Sequence, residues 1–153
     1  MRKKIQSNIV FEHLNNLSKK ILVEQGGTRS GKTYNILLWL IFNYCNANTG
    51  KTVTICRKTF PAVRGTVMRD FFEILKEYDL YFEELHSKST NEYFINGNRI
   101  EFISLDQPQK IRGRKRDLLF INECNELNYE DFQQLIFRTI DNIISVSYTH
   151  LTL

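Results

Sequence analysis

One octapeptide near the start of the chain has the residue types and spacing that grip a polyphosphate. It reads Gly26-Gly27-Thr28-Arg29-Ser30-Gly31-Lys32-Thr33, which satisfies the pattern G-x-x-x-x-G-K-[ST] at each fixed position. Gly26 and Gly31 let the backbone wrap so that successive N–H groups face phosphate oxygens. We therefore expect all eight residues to bind ATP, with Lys32 neutralising the β- and γ-phosphates and Thr33 offering its hydroxyl to Mg²⁺.

The octapeptide needs a strand before it and a helix after it. Residues 21–24 are apolar enough for a short buried strand, and residues 33–44 predict a helix. The free N–H groups and partial positive charge of that helix N-terminus favour an anion. The alternative is a chance glycine turn, which would not require these flanks.

A second polar group follows another apolar run, residues 118–121, which predicts a central parallel strand. Hydrolysis of a triphosphate needs a polarised water and a second grip on the metal, usually from the end of a strand beside the loop. We expect this strand to lie next to strand 21–24, with Glu123 orienting the attacking water. Asn122 stands where an Asp is usual, and its neutral amide would hold Mg²⁺ or its water shell weakly. The alternatives are a solvated Glu123 and a purely structural Asn122.

Two arginines are candidates for stabilising charge on the transferred phosphoryl group. Arg29 lies inside the octapeptide and would act within one subunit. Arg112 lies in a polar segment, residues 106–116, which we expect to be a mobile loop that reaches a neighbour's site. The alternative is that the basic cluster 110–116 contacts only solvent or DNA phosphates.

The remaining patterns predict an α/β fold, a three-layer P-loop core with a mostly parallel sheet. Residues 52–56 form a β-branched strand, and Pro61 opens a helix whose apolar face runs to Tyr78. Alternating runs around Asn96-Gly97 predict an inserted β-hairpin. Asn128 is a suitable N-cap for the next helix, and a further core strand begins near residue 140.

Bulk properties limit the function classes. The chain has 153 residues, a net charge of +4 and a pI near 9.0, which allows a nucleic-acid partner without requiring one. Three distant cysteines predict reduced thiols rather than disulfides or a zinc site. The longest apolar run is much shorter than the roughly 20 residues of a membrane span. Ahead of the first strand, Gln6 or Phe11 would pack on adenine, although plain core packing is the favoured alternative.

With both halves of the site identified, residues 5–144 resemble the ATPase domain of a tailed-phage terminase large subunit. The resemblance rests on the octapeptide and on Cys56-Arg57-Lys58-Thr59, Val67-Met68-Arg69-Asp70-Phe71, Ile111-Arg112-Gly113 and Leu119-Phe120-Ile121-Asn122-Glu123-Cys124-Asn125-Glu126-Leu127. It implies a RecA-like core of the ASCE type. It also implies ATP hydrolysis with Mg²⁺, coupled to translocation of double-stranded DNA into a procapsid in the host bacterial cytoplasm.

The same resemblance implies partners: double-stranded viral DNA, a portal protein, a small terminase subunit and further copies in a ring, with no membrane. It also implies a nuclease domain and a coupling motif, neither of which the sequence contains, so we expect residues 1–144 to be a partial ATPase domain. Residues 146–153 look like a translated sequencing adapter, and we interpret 145–153 as a non-native tail. The alternative is a genuine strand, because the pattern partly alternates.

Two rival functions remain open. One is another P-loop enzyme, such as a helicase-like ATPase or a small-molecule kinase. The other is a nucleotide-gated DNA-binding module with little hydrolysis, which Asn122 and the partial domain would favour.

Overall fold

The computed structural model describes residues 8–17, 20–27 and 30–148 of the chain. Seven strands within these ranges join in one sheet, in the order β1-β7-β6-β2-β5-β4-β3. The strands are β1 Ile21–Gly26, β2 Thr52–Arg57, β3 His86–Ser87, β4 Glu92–Ile95, β5 Asn98–Ser104, β6 Arg116–Asn122 and β7 Thr139–Tyr148.

The helices cover both faces of this sheet. They are α1 Ile9–Asn15, α2 Lys32–Trp39, α3 Cys45–Ala47, α4 Phe60–Gly65, α5 Val67–Glu77, α6 Pro108–Gly113 and α7 Tyr129–Phe137, with 3₁₀ turns at Glu83–Leu85 and Cys124–Glu126. Side chains of α2 and α5 share one hydrophobic cluster with Ile55 and Phe120, whereas α6 and α7 share the other with Cys56 and Leu119. The predicted three-layer α/β architecture is therefore confirmed.

Most of the sheet is parallel. Strands β1, β7, β6, β2 and β5 run in one direction, and only β4 and β3 add antiparallel pairs at one end. Residues 118–121 of β6 are fully buried because neighbouring strands flank them and helices cover both faces. The prediction of a central parallel strand there is confirmed.

The predicted hairpin joins β4 and β5 through Asn96 and Gly97. Both turn residues have positive φ values, 49° and 76°, as a two-residue turn of matching twist requires. The side chain of Asn98 donates to the carbonyls of Cys45, at 3.1 Å, and Asn48, at 2.7 Å. These bonds attach the hairpin to the end of the helix that follows the glycine loop.

That helix differs from the single α-helix predicted for residues 33–44. It continues from α2 through a π-helical segment, Leu40–Tyr44, into α3. Leu37 and Leu38 are buried, as expected for a helix that is apolar on nearly all faces. The wider turn changes which residues face the core beyond Trp39, and sequence periodicity does not reveal such a change.

The predictions for the first strand were wrong in two respects. The β1 strand lies at the end of the seven-strand order, where Ile21 is 42% and Val23 57% exposed, so it is half-buried rather than buried. Strand β7 also lies between β1 and β6, so residues 118–121 do not neighbour residues 21–24. A short apolar run does not reveal how many of its faces are covered or which strand pairs with it.

Two other segments differ from expectation. Residues 106–116 are not all loop, because α6 forms there and buries Ile111. The helix opened by Pro61 breaks at Thr66 into α4 and α5, where the Thr66 hydroxyl donates to the carbonyl of Ala62 at 2.6 Å. The predicted cap is confirmed, since Asn128 Oδ1 accepts from the Asp131 N–H at 2.8 Å.

The last described strand includes the beginning of the segment that we interpret as non-native. Residues 145–148 continue β7 and pair in parallel with β1, and Val146 is buried. The foreign origin of 145–153 stays a prediction, and residues 149–153 lie outside the described part.

The three cysteines, Cys45, Cys56 and Cys124, are unpaired. Burial raises the pKa of Cys45 and of Cys56 to about 12, so both thiols stay protonated at neutral pH. In the described ranges, no helix has the length and apolarity that a membrane crossing requires.

Candidate functional site

The glycine loop connects the end of β1 to the start of α2. Gly31 adopts a left-handed conformation, with φ 73° and ψ 13°, immediately before the first residue of the helix. A side chain there would be strained, which explains why this position needs glycine. Thr28 and Arg29, both predicted to contact nucleotide, lie outside the described residues, as does Gln6.

The Lys32 side chain folds back over the loop. Its ammonium donates to the carbonyls of Gly26, at 2.9 Å, and Gly27, at 2.8 Å, and to the Ser30 hydroxyl at 2.6 Å. The side chain is buried, although the loop around it is largely exposed. The loop therefore holds one full positive charge at its centre, where a polyphosphate would lie.

Thr33 and Asn122 join the two halves of the site. The Thr33 hydroxyl donates to Asn122 Oδ1 at 3.2 Å, and both side chains are buried. Since β7 separates β1 from β6, the loop and first turn of α2 must reach across the end of β7 to make this contact. The fold thus brings Thr33 and Asn122 together although the two strands are not neighbours.

These two oxygens suit a magnesium ion. Mg²⁺ prefers oxygen ligands and commonly binds through one or two protein groups, water and substrate phosphates. A hydroxyl and an amide oxygen, 3.2 Å apart beside a phosphate loop, meet this description without a dedicated cage. Among the described residues, no group of three or more His, Cys, Asp or Glu side chains is placed so that it could hold a metal ion.

Glu123 follows directly in an unusual backbone conformation. Its φ of 58° and ψ of 55° are left-handed, which is uncommon for a residue with a side chain. Glu123 is only 8% exposed, so it is not the solvated strand-end residue of the alternative interpretation. Strained positions of this kind are concentrated at functional sites, where the surrounding structure maintains them.

The turn behind Glu123 is tied to a neighbouring strand by an ion pair. Arg57, at the end of β2, donates from Nε to Glu126 Oε2 at 3.2 Å and from Nη2 to Oε1 at 3.0 Å. Its Nη1 donates to the Thr66 hydroxyl at 3.1 Å. Sequence analysis missed this pair because its members are 69 residues apart and no local spacing relates them.

On the other side, the same turn contacts β7, where the Ser147 hydroxyl donates to Asn125 Oδ1 at 3.4 Å. The turn that carries Glu123 is therefore held from both strands that flank β6.

The basic cluster 110–116 divides into residues with different roles. Arg116 is fully buried, donates to the carbonyls of Ile111 and Leu135, and has a lowered pKa because of that burial. Arg114 pairs with Glu92 at 3.2 Å, which attaches α6 to the hairpin. The interpretation that the whole cluster contacts only solvent or DNA is thus wrong for Arg116 and Arg114.

Arg112 is exposed in α6, and among the described residues no hydrogen bond joins it to the glycine loop. Phe11 packs against the larger hydrophobic cluster, as in the favoured alternative for that residue.

A parallel sheet of this order, with a glycine loop between β1 and α2 and a polar pair at the end of β6, defines a P-loop protein with a RecA-like core. More narrowly, the chain belongs to the phage terminase large subunit family, whose family model matches residues 18–149.

Individual relatives agree with this assignment. The chain is 30% identical over 115 residues to the PBSX phage terminase large subunit of Bacillus subtilis (strain 168), covering 74% of this chain and 26% of that protein. It is similar in fold to the large terminase of a thermophilic bacteriophage, with a TM-score of 0.76 and 15% identity over 90% of this chain and 37% of the other. Another structure of that thermophilic phage protein holds ATP-gamma-S.

The HK97 bacteriophage large terminase matches with a TM-score of 0.71 and 12% identity, over 91% of this chain and 31% of the other. The chain therefore spans about a quarter of the curated relative and about a third of these solved ones.

Proposed function

We propose that this chain is the ATPase motor domain of a phage terminase large subunit, which couples ATP hydrolysis to the movement of double-stranded DNA into a procapsid. The observation on which this proposal chiefly rests is the hydrogen bond between Thr33 and Asn122, because it joins a phosphate loop to the strand end that bears Glu123. Membership of the terminase family and the ATP-gamma-S complex of the thermophilic phage relative support ATP as the nucleotide that would bind here.

The residues of the loop divide the work of binding. The backbone amides of residues 26–33 would cradle the phosphates, and the Lys32 ammonium would exchange its loop acceptors for β- and γ-phosphate oxygens. The hydroxyl of Thr33 and, more weakly, the amide oxygen of Asn122 would hold Mg²⁺. That ion, when bound, supplies positive charge that offsets charge developing on the phosphates.

For hydrolysis, the carboxylate of Glu123 would orient water toward the terminal phosphorus. An arginine would stabilise the charge that develops there. Arg29 is the candidate within the subunit. Arg112 is the candidate from a neighbouring copy, since it is exposed on α6 and its side chain makes no hydrogen bond to the described residues of its own subunit.

The proposal also covers the partners and the location that the terminase family implies. Partners would be double-stranded viral DNA, a portal protein, a small terminase subunit and further copies in a ring, in the host bacterial cytoplasm. Residues 1–144 would form a partial ATPase domain and residues 145–153 a non-native tail.

The test compares ATP binding and phosphate release for the protein with those of two variants. Lys32→Ala is expected to lose both, whereas Glu123→Gln is expected to keep binding and lose turnover by about 10²-fold or more. Thermal melting of each variant controls for folding. Unchanged turnover in folded Lys32→Ala, or in Glu123→Gln, would contradict the assignment.

A second function is favoured by Asn122, whose neutral amide holds a metal less firmly than a carboxylate. In that case the chain is a nucleotide-gated DNA-binding module with little hydrolysis. ATP binding without phosphate release, together with DNA affinity that changes on ATP addition, would support the module instead.

A further inference from the structure

A buried asparagine in α2 is hydrogen-bonded to the glycine loop. Asn35 lies one turn into α2 and is only 6% exposed, directly before the apolar second half of that helix. Its Nδ2 donates to the carbonyl of Gly31 at 2.8 Å, and the same carbonyl accepts from the Asn35 N–H at 3.0 Å. One residue thus makes two hydrogen bonds to one carbonyl of the loop.

A second asparagine completes the contact from the N-terminal side. Asn8 donates its N–H to Asn35 Oδ1 at 3.1 Å and its Nδ2 to the carbonyl of Ser30 at 3.3 Å. Its Oδ1 accepts from the Val10 N–H at 3.0 Å, which caps α1. Asn8 therefore connects the start of α1 to both Asn35 and the loop.

These bonds determine where two amides of the loop point. In a planar trans peptide the C=O and N–H groups face opposite sides. Holding the carbonyls of Ser30 and Gly31 toward the asparagines turns the N–H groups of Gly31 and Lys32 to the other side. Those are the amides that a phosphate loop offers to its anion.

We propose that Asn35 and Asn8 are positioning residues, which aim the Gly31 and Lys32 amides at the phosphates and make α1 part of the nucleotide site. The proposal rests on the proposed nucleotide binding. It assigns to both side chains an effect on affinity for nucleotide, because the amides they orient grip ground state and transition state alike.

The competing explanation is that Asn8 simply fastens α1 to α2, and the chain contains a matched control for it. At the other end of α1, Asn15 Oδ1 accepts from the Trp39 indole N–H at 3.2 Å and from the Asn43 side chain. This contact joins the same two helices without touching the loop.

The experiment measures the Kd for ATP and for ADP, the kcat and the melting temperature of three variants of the full chain. Asn8→Ser keeps a capping hydroxyl but is too short to reach Ser30, and Asn35→Ala removes the bond to Gly31. Both are expected to raise the Kd for both nucleotides about tenfold, the factor for about one lost hydrogen bond. Their kcat should stay within about twofold of the original protein.

Asn15→Ala is expected to lower the melting temperature while leaving the Kd unchanged. If Asn8→Ser and Asn15→Ala shift the Kd equally, or if Asn8→Ser lowers only the melting temperature, the positioning role is overturned. Should Asn35→Ala fail to fold, Asn8→Ser decides. Absence of any ATP affinity in the unaltered chain would instead overturn the proposed function, and this inference with it.

Discussion

The hydroxyl of Thr33 donates to the amide oxygen of Asn122 at 3.2 Å, although 89 residues separate them in sequence. The contact is buried and reaches across the end of β7, so it depends on the correct order of three parallel strands. Because the acceptor is an amide, the pair brings no negative charge to the place where phosphates and Mg²⁺ would meet.

The first prediction concerns that missing charge. Asn122→Asp keeps an acceptor for the Thr33 hydroxyl and adds a carboxylate, which we expect to lower the Mg²⁺ concentration for half-maximal ATP turnover about tenfold. A magnesium titration at saturating ATP measures it. Asn125→Asp adds the same charge on the exposed turn and is the control. An equal shift in both variants, or none, would refute a metal role for residue 122.

The second prediction concerns the ion pair behind Glu123. Glu126→Gln removes the charge that Arg57 contacts through two nitrogens, and we expect unfolding free energy to fall by about 1–2 kcal/mol. Because the turn carrying Glu123 would be held less firmly, kcat should also fall. Urea unfolding and steady-state turnover measure these effects. Exposed Glu130→Gln is the control, and an identical outcome for both variants would argue against a special pair.

The third prediction is a pH dependence of stability. His86 stacks on Phe72 with ring centroids 4.3 Å apart, and its Nδ1 is hydrogen-bonded to the Tyr81 hydroxyl at 2.8 Å. Burial, with the positive charge of Lys88, lowers the pKa of His86 in the folded state. The neutral ring therefore stabilises the fold fully above the unfolded pKa of about 6.5, and this contribution is lost as pH falls through the folded value.

The variant His86→Phe keeps the ring stack and removes the titration. Its melting temperature should fall less steeply below about pH 6.5 than that of the unaltered chain. Parallel pH profiles for the chain and His86→Phe would show that residue 86 does not contribute.

The fourth prediction tests the hairpin turn. Gly97 has a φ of 76°, and an added Cβ would lie 2.7 Å from the Thr49 hydroxyl. Gly97→Ala should therefore lower unfolding free energy by about 1–2 kcal/mol or more. Gly113→Ala, where a Cβ meets no atom within 4 Å, provides the comparison. A Gly97→Ala protein as stable as Gly113→Ala would contradict this account of the turn.

Features that depend on neighbouring residues could be predicted from the sequence, whereas the order of the strands in the sheet could not. The octapeptide, the Asn96-Gly97 turn and the Asn128 cap are each specified by neighbouring residues, and the structure has the latter two as predicted. The position of β7 between β1 and β6 is different, because chain order does not determine the order of parallel strands. The resemblance implied the fold, yet not which strand separates the two halves of the site.

Contacts between side chains that are distant in sequence could not be predicted either. Arg57 and Glu126 belong to two separate segments of the resemblance, and only the fold brings them together. The same holds for Asn8 and Asn35, whose role depends on α1 lying against α2. The exposure of Ile21 and Val23 also depends on which elements cover the sheet edge, which an apolar run does not state.

The left-handed backbone of Glu123 has a consequence for evolution and engineering. Holding a side chain in that conformation costs about 1 kcal/mol, which a glycine would not incur. Glu123→Gly would also lose the contacts of a buried side chain and the carboxylate proposed to activate water. A screen for turnover would therefore retain Glu123 in spite of its backbone strain.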